Sequence, residues 1–197
     1  MVPKGNKIVR KVIYFILFGI LIAGFIYLGE KYKGNDKVVV YTIKNYYPNM
    51  EEEDFEAISG SKLINVLRDK RSHLVLIGSY KSPYSQKYIE EICLIIRTMN
   101  LDKVIYYDLT SDKSQKNSNY YEIRKLLEGN LITTDGGTRS LLSPSFYIIQ
   151  DGKIVYYNVD TAAMKNTDTV ENYWTQEKET EFSSEIMTAI NKYYLNQ

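Results

Sequence analysis

The sequence predicts an α/β protein: a mixed sheet flanked by helices, preceded by one N-terminal transmembrane helix. Three observations carry this. An uncharged stretch of eighteen residues, VIYFILFGILIAGFIYLG, runs from Val12 to Gly29. Two short apolar runs, HLVLIG (73–78) and VIYYDL (104–109), alternate with segments whose apolar residues recur at helical spacing, as buried strands between crossover helices do. SFYIIQ (145–150) and KIVYYN (153–158) flank Asp151-Gly152, a strong tight-hairpin signal.

At about 1.5 Å per residue, the stretch 12–29 just crosses a hydrocarbon core of about 30 Å, with Tyr14 and Tyr27 at its two interfaces. A cleaved signal peptide and a buried core helix are the competing readings, but a signal peptide's apolar core usually runs only about 7–15 residues and ends at small residues; no A-x-A follows here. Lys4, Lys7, Arg10 and Lys11 precede the span without an acid, against Lys31, Lys33 and Lys37 after it. That bias keeps the N-terminus inside. The expected organisation is a cytoplasmic tail (1–11), a signal anchor (12–29), a juxtamembrane linker with a first strand (30–60) and an extracytoplasmic domain (61–197) on the cell membrane.

In the linker, Val38–Ile43 (VVVYTI) reads as a strand, and Glu51-Glu52-Glu53-Asp54 as a solvated acidic face. Ser61 is the expected cap of a helix carrying Leu63, Ile64, Val66 and Leu67 and ending near Arg71. After strand 73–78, Ser79–Ser82 forms a loop into a long helix from Pro83 to about Met99. Pro83 suits a first helical turn, with Ser82 as N-cap. Ile89, Ile92, Cys93, Ile96 and Met99 form its buried stripe. Strand 104–109 leads through a polar loop to a helix at Ser118–Leu127, stopped by Gly129. The loop Leu131–Ser140 contains Asp-Gly-Gly, and a lid or a long turn are both open. After the hairpin, Phe182, Ile186, Ile190 and Tyr194 mark a last helix within Thr175–Tyr194. Right-handed crossovers make the early strands parallel, and the hairpin adds antiparallel ones.

Composition excludes several functions. Residues 1–33 hold six basic groups and one acid, so with an overall charge of +1 the remaining 164 residues are net −4. Such a body has no basic stripe for nucleic acid. One cysteine, Cys93, allows no internal disulfide, and one histidine, His73, leaves almost no zinc chemistry. No metal or cofactor is expected. Cys93 lies on an apolar helix stripe and reads as core packing; His73 reads as an exposed or capping imidazole. Most of the 19 tyrosines read as structural, with one member of each strand pair such as Tyr106-Tyr107 buried and the other exposed.

The element order resembles the thioredoxin fold, and two segments carry the likeness. LVLIGSYKSPYSQKYIEEI places Ser82-Pro83-Tyr84-Ser85 at the junction from central strand to long helix, where that superfamily has Cys-x-x-Cys. LLSPSFYIIQDGKIV places Ser143-Pro144 where it has a cis-proline before its hairpin. Within the superfamily, IGSYKSPYSQKY and FYIIQDGKIV look most like the membrane-associated bacteriocin transport accessory proteins, whose equivalent turn carries Cys-Pro-x-Cys-Gln. The resemblance implies a domain over about 61–195 and a peptide-holding surface where the turn meets the proline loop.

Serine cannot form the mixed disulfide that thiol exchange requires. Its hydroxyl needs a neighbouring base to act as a nucleophile, and none is evident beside Ser82 or Ser85. The expectation is therefore a redox-inactive domain, not an enzyme, that binds a protein or peptide non-covalently. Tyr80, Tyr84 and Pro144 would make its apolar platform, Pro83 would start the helix, and Ser82, Ser85 and Ser143 would offer hydrogen bonds. Two alternatives stay open. The protein is a thiol-disulfide oxidoreductase if the serines replace native cysteines or if Cys93 works with a second protein's thiol, or it is a structural subunit of a membrane assembly. Oligomeric state is not legible.

Overall fold

The structure, a computed structural model, describes residues 47, 54–134, 136–159 and 169–195. The anchor 12–29 and the strand expected at Val38–Ile43 lie outside them. No helix among the described residues is long and apolar enough to cross a membrane.

Five strands form one sheet in the order β1-β3-β2-β6-β7. β1 (Phe55–Ala57), β2 (His73–Gly78) and β3 (Val104–Asp108) are parallel; β6 (Ser145–Gln150) runs antiparallel to β2 and pairs with β7 (Lys153–Asn158). Asp151 and Gly152 join β6 to β7 with φ of 50° and 69°, the left-handed pair that a two-residue hairpin of matching twist needs. A second ladder, β4 (Ile132–Thr133) with β5 (Arg139–Ser140), turns most of the expected loop 131–140 into a small hairpin.

The helices are α1 (Gly60–Arg68), α2 (Pro83–Thr98), α3 (Thr110–Gln115), α4 (Ser118–Leu126), α5 (Val170–Tyr173) and α6 (Gln176–Ile190), the last continuing into a π-helical turn at Asn191–Leu195. Strand alternation sorts the core into two layers. Leu74, Leu76, Tyr106, Phe146 and Ile148 face α2 and α6, meeting Ile89, Ile92, Cys93, Ile96, Phe182 and Ile186. Val75, Ile77, Tyr107, Tyr147 and Ile149 face α1 and α4, meeting Leu63, Leu67, Ile123 and Leu127. At about 1.5–3 kcal/mol for each large apolar side chain fully buried, these layers dominate the stability. Tyr88, Trp174 and Phe182 pack edge to face where α2 meets α6, with centroids 4.9–6.3 Å apart. Lys87 ties the same helices at the surface, 2.7 Å from both Glu91 and Glu179.

Several expectations need correction. Asp54 is not part of a solvated face: it is buried, paired with the Arg97 guanidinium, and its carbonyl accepts the Val104 N–H at 3.1 Å. The acidic run thus ends in an anchor for β1. α1 starts after Ser59 rather than Ser61, because Gly60 packs against α3 and α4, where an added Cβ would lie 2.3 Å from Asp112 Oδ2. It stops at Arg68, where Asp69 turns extended and its carboxylate accepts the Arg71 N–H at 3.1 Å. The polar loop after β3 contains α3, which buries no residue. Asp112 secures it by accepting Tyr107 Oη and Asn117 Nδ2, each at 2.7 Å. Tyr106 and Tyr107 are both buried, since β3 lies inside the sheet with helices over both faces.

Candidate functional site

The central strand β2 ends at Gly78, and the next seven residues build a closed turn. The Ser82 N–H donates to the Ser79 carbonyl at 2.9 Å, and the Ser85 N–H to the Ser82 carbonyl at 3.1 Å. Ser82 is extended and caps α2, its Oγ accepting the Ser85 N–H at 3.4 Å, and Pro83 occupies the first helical turn as expected. Ser85 is fully buried, and its Oγ accepts the Ser79 N–H at 3.2 Å. Its hydroxyl therefore serves the turn and is not offered to a ligand. Ser82, Tyr80 and Tyr84 are half-buried, and Lys81 and Pro83 are exposed. The Lys81 ammonium sits 5.9 Å from the centre of the Tyr80 ring, a cation-π contact.

The register of β2 with β6 brings the second expected segment to the same end of the sheet. Ile77 stands opposite Ser145, the last pair of the ladder, so Ser143-Pro144 enters β6 at the end of the sheet where β2 runs out into the turn. The Ser143–Pro144 peptide is cis. Pro144 is buried and Ser143 half-buried. Ser145 is buried and donates through Oγ to the Leu142 carbonyl at 3.1 Å, which folds the chain just before β6. Of the expected set, Tyr80, Ser82, Tyr84 and Ser143 are partly accessible, Pro83 is exposed, and Ser85 and Pro144 are buried.

Asp108, at the end of β3, is not singled out by its sequence context, yet its side chain ties the turn to β3. Its Oδ2 accepts the Tyr80 N–H at 2.9 Å and Tyr106 Oη at 3.1 Å, while Oδ1 accepts the Thr110 N–H at 2.8 Å. Ser79 Oγ and Thr110 Oγ1 are 2.8 Å apart, and the Leu109 N–H donates to the Gly78 carbonyl at 2.9 Å. A period-2 pattern places Tyr106 and Asp108 on one side of β3, the only advance signal that the two act together. Burial, then the neighbouring charges and hydrogen bonds, raise the Tyr106 phenol well above its ordinary range, so it stays a donor.

The chemistry available here is limited. His73 opens β2 five residues before Gly78, roughly 16 Å away at about 3.3 Å per residue, and its Nε2 lies 3.2 Å from Asp69 Oδ2. It cannot act as a base for Ser82. Cys93 is buried within the α2 stripe, and desolvation pushes its thiol up to about 12. A thiol that stays protonated is a poor nucleophile. No cluster of histidine, cysteine or carboxylate among the described residues suits a metal ion.

No protein-family model matches the chain, and no curated protein sequence does. Solved structures do. The chain is similar to thioredoxin NaTrxh from Nicotiana alata at 11% identity, covering 73% of this chain and 97% of that one, with a TM-score of 0.38. It is also similar to mitochondrial thioredoxin 3 from Saccharomyces cerevisiae, at 11% identity over 53% of this chain and 82% of that one, with a TM-score of 0.35. A third similar chain comes from a study of thiol resolution in yeast mitochondrial 1-Cys peroxiredoxin via glutathione/thioredoxin systems, at 13% identity over 50% and 76%, with a TM-score of 0.34. The fold is thioredoxin-like. That statement rests on the chain's own strand order, the helix leaving the central strand and the proline before the hairpin.

Proposed function

We propose that this thioredoxin-like domain binds a protein or peptide non-covalently across the turn 79–84 and the segment 142–144, without redox chemistry of its own. The observation that carries the reading is the Ile77–Ser145 pairing, which brings Ser143-Pro144 to the same end of the sheet as a turn whose two family cysteine positions are Ser82 and Ser85. The N–H groups of Ser79, Tyr80, Ser82 and Ser85 are all committed inward. The turn therefore meets a partner through the Tyr80, Lys81 and Tyr84 side chains, and the bend at Ser143-Pro144 supplies the other side of the surface. The apolar stretch 12–29 supports a single-pass anchor with the domain outside the cell membrane. The turn and hairpin sequences support an accessory role in bacteriocin-type transport or secretion.

Two assays test this on the full chain. Insulin reduction by dithiothreitol should proceed no faster with the protein than without it; measurable turnover would restore the oxidoreductase reading. A photo-crosslinking amino acid at position 84, in membranes of the native host, should give one discrete adduct, while the same probe at Leu94, exposed on the outer face of α2, should not. Equal labelling from both positions would favour the structural-subunit reading.

A further inference from the structure

We propose that Asp108 is the positioning residue of this turn: its carboxylate fixes the Tyr80 backbone, and through it the face that the turn presents. The inference rests on the binding reading for its functional part and on geometry for the rest. A local role would need one oxygen. An Asx-type bond from Oδ1 to the N–H two residues on, here Thr110 at 2.8 Å, is the ordinary use of an aspartate after a strand. The other oxygen does something that local structure does not require: it crosses 28 residues of sequence to the Tyr80 N–H at 2.9 Å.

Three features make that bond a clamp. Tyr106 Oη donates to the same oxygen at 3.1 Å from a fully buried ring, which holds the carboxylate in one orientation. Gly78 leaves the space this needs, since a Cβ there would stand 2.7 Å from Tyr106 Oη. The Ser79–Thr110 hydroxyl contact of 2.8 Å and the Leu109 N–H to Gly78 carbonyl bond close the gap on either side. The turn and the start of α3 are thereby joined through a charged acceptor with two donors on one oxygen and one on the other. In a dithiol turn, sulfur chemistry is what the geometry serves; here the clamp preserves a side-chain display.

The asymmetry of donors gives a specific test. Asp108→Ala removes both oxygens, so amide hydrogen exchange at Tyr80 and Thr110 should quicken by about tenfold or more, the scale of one lost charge-assisted bond. The β2–β3 ladder at Val75 and Ile105 should keep its protection. Asp108→Asn retains one oxygen, which belongs on the side with two donors, while Tyr106 turns to serve that oxygen or the amide. Tyr80 should recover protection, and Thr110 should not. Adduct yield from the position-84 probe should follow Tyr80, falling several-fold in Asp108→Ala and returning in Asp108→Asn. Unchanged Tyr80 exchange in Asp108→Ala overturns the clamp, as does adduct yield that ignores Tyr80 protection. Should Asp108→Ala fail to fold, Asp108→Asn alone decides, because loss of Tyr80 protection with Thr110 retained contradicts the assignment. Absence of any adduct from the unsubstituted chain defeats the binding reading instead, and exchange still judges the clamp.

Discussion

Replacing Gly78 by alanine puts a methyl group where the fold has no room. The new Cβ would stand 2.7 Å from Tyr106 Oη, 2.8 Å from Tyr106 Cε2 and 2.8 Å from Ile89 Cδ1. Neither neighbour can swing away: both are fully buried, and the Tyr106 ring also meets Phe55 edge to face at 5.9 Å. Overpacking of this kind costs about 1–3 kcal/mol. If Tyr106 yields by leaving Asp108, a buried hydroxyl without its partner adds about 1–3 kcal/mol. Alanine's smaller unfolded-state entropy returns about 0.4–1 kcal/mol. The net is roughly 1–5.5 kcal/mol, and at about 2–4 °C per kcal/mol for a chain of this size, Gly78→Ala should melt about 2–20 °C lower. Thermal unfolding followed by far-ultraviolet circular dichroism measures this. Tyr106→Phe should cost less in the Gly78→Ala background than alone, because the hydroxyl is already displaced. A melting point within about 1 °C of the unsubstituted protein, or strict additivity of the two substitutions, would refute the close-packing argument.

Three further outcomes follow from the same structure. The Ser82→Cys/Ser85→Cys double variant should form an internal disulfide and gain insulin reductase activity that neither single variant shows; a double variant that stays reduced under oxidising conditions would mean the turn has lost dithiol geometry. Cys93 should resist Ellman's reagent in the native protein and react fully in guanidinium chloride, and rapid native labelling would contradict its place in the core. Burial raises the Tyr47, Tyr106, Tyr107 and Tyr147 phenols, Tyr147 up to about 12, together with the Cys93 thiol. These groups keep their protons in the fold while the unfolded chain loses them, so stability is full below the unfolded values and falls as pH rises, by up to about 1.4 kcal/mol per group per pH unit, from about pH 8.5 for Cys93 and about pH 10 for the tyrosines. Part of the tyrosinate absorbance should appear only together with loss of helix in that range; ionisation of every tyrosine with the fold intact would contradict the burial.

Much of the fold is legible in the residues because strong local signals and tertiary structure agree. His73–Gly78, Ser145–Gln150 and Lys153–Asn158 form the strands their apolar runs and Asp151-Gly152 imply, and α2 follows from Ser82, Pro83 and its stripe. Most of the misses come from partners distant in sequence; α3 is the exception, since the hydrogen-bond partners of its anchor stand five residues away on either side. α3 has no apolar residue to announce it, and its anchor Asp112 gains meaning only from Tyr107 and Asn117. β1 is three residues long and takes its place from pairing with β3, beside an Asp54–Arg97 contact that no local pattern reveals. Tyr106 and Tyr107 are both buried because β3 is internal, which strand order decides. Ser82 as helix cap, Pro83 in the first helical turn and Pro144 just before β6 are legible by position. Asp108 is not, because an aspartate after a strand ordinarily starts a turn, and its reach to Tyr80 exists only in three dimensions.

Mapping two crosslinks on one partner addresses the central claim most directly. Photo-crosslinkers placed singly at positions 84 and 143 of the full chain, in native membranes, would be followed by mass spectrometry of the joined peptides. A surface that holds one extended segment predicts that both probes attach to the same protein, within a few residues of each other. Attachment to unrelated proteins, or no attachment from position 143, would contradict it.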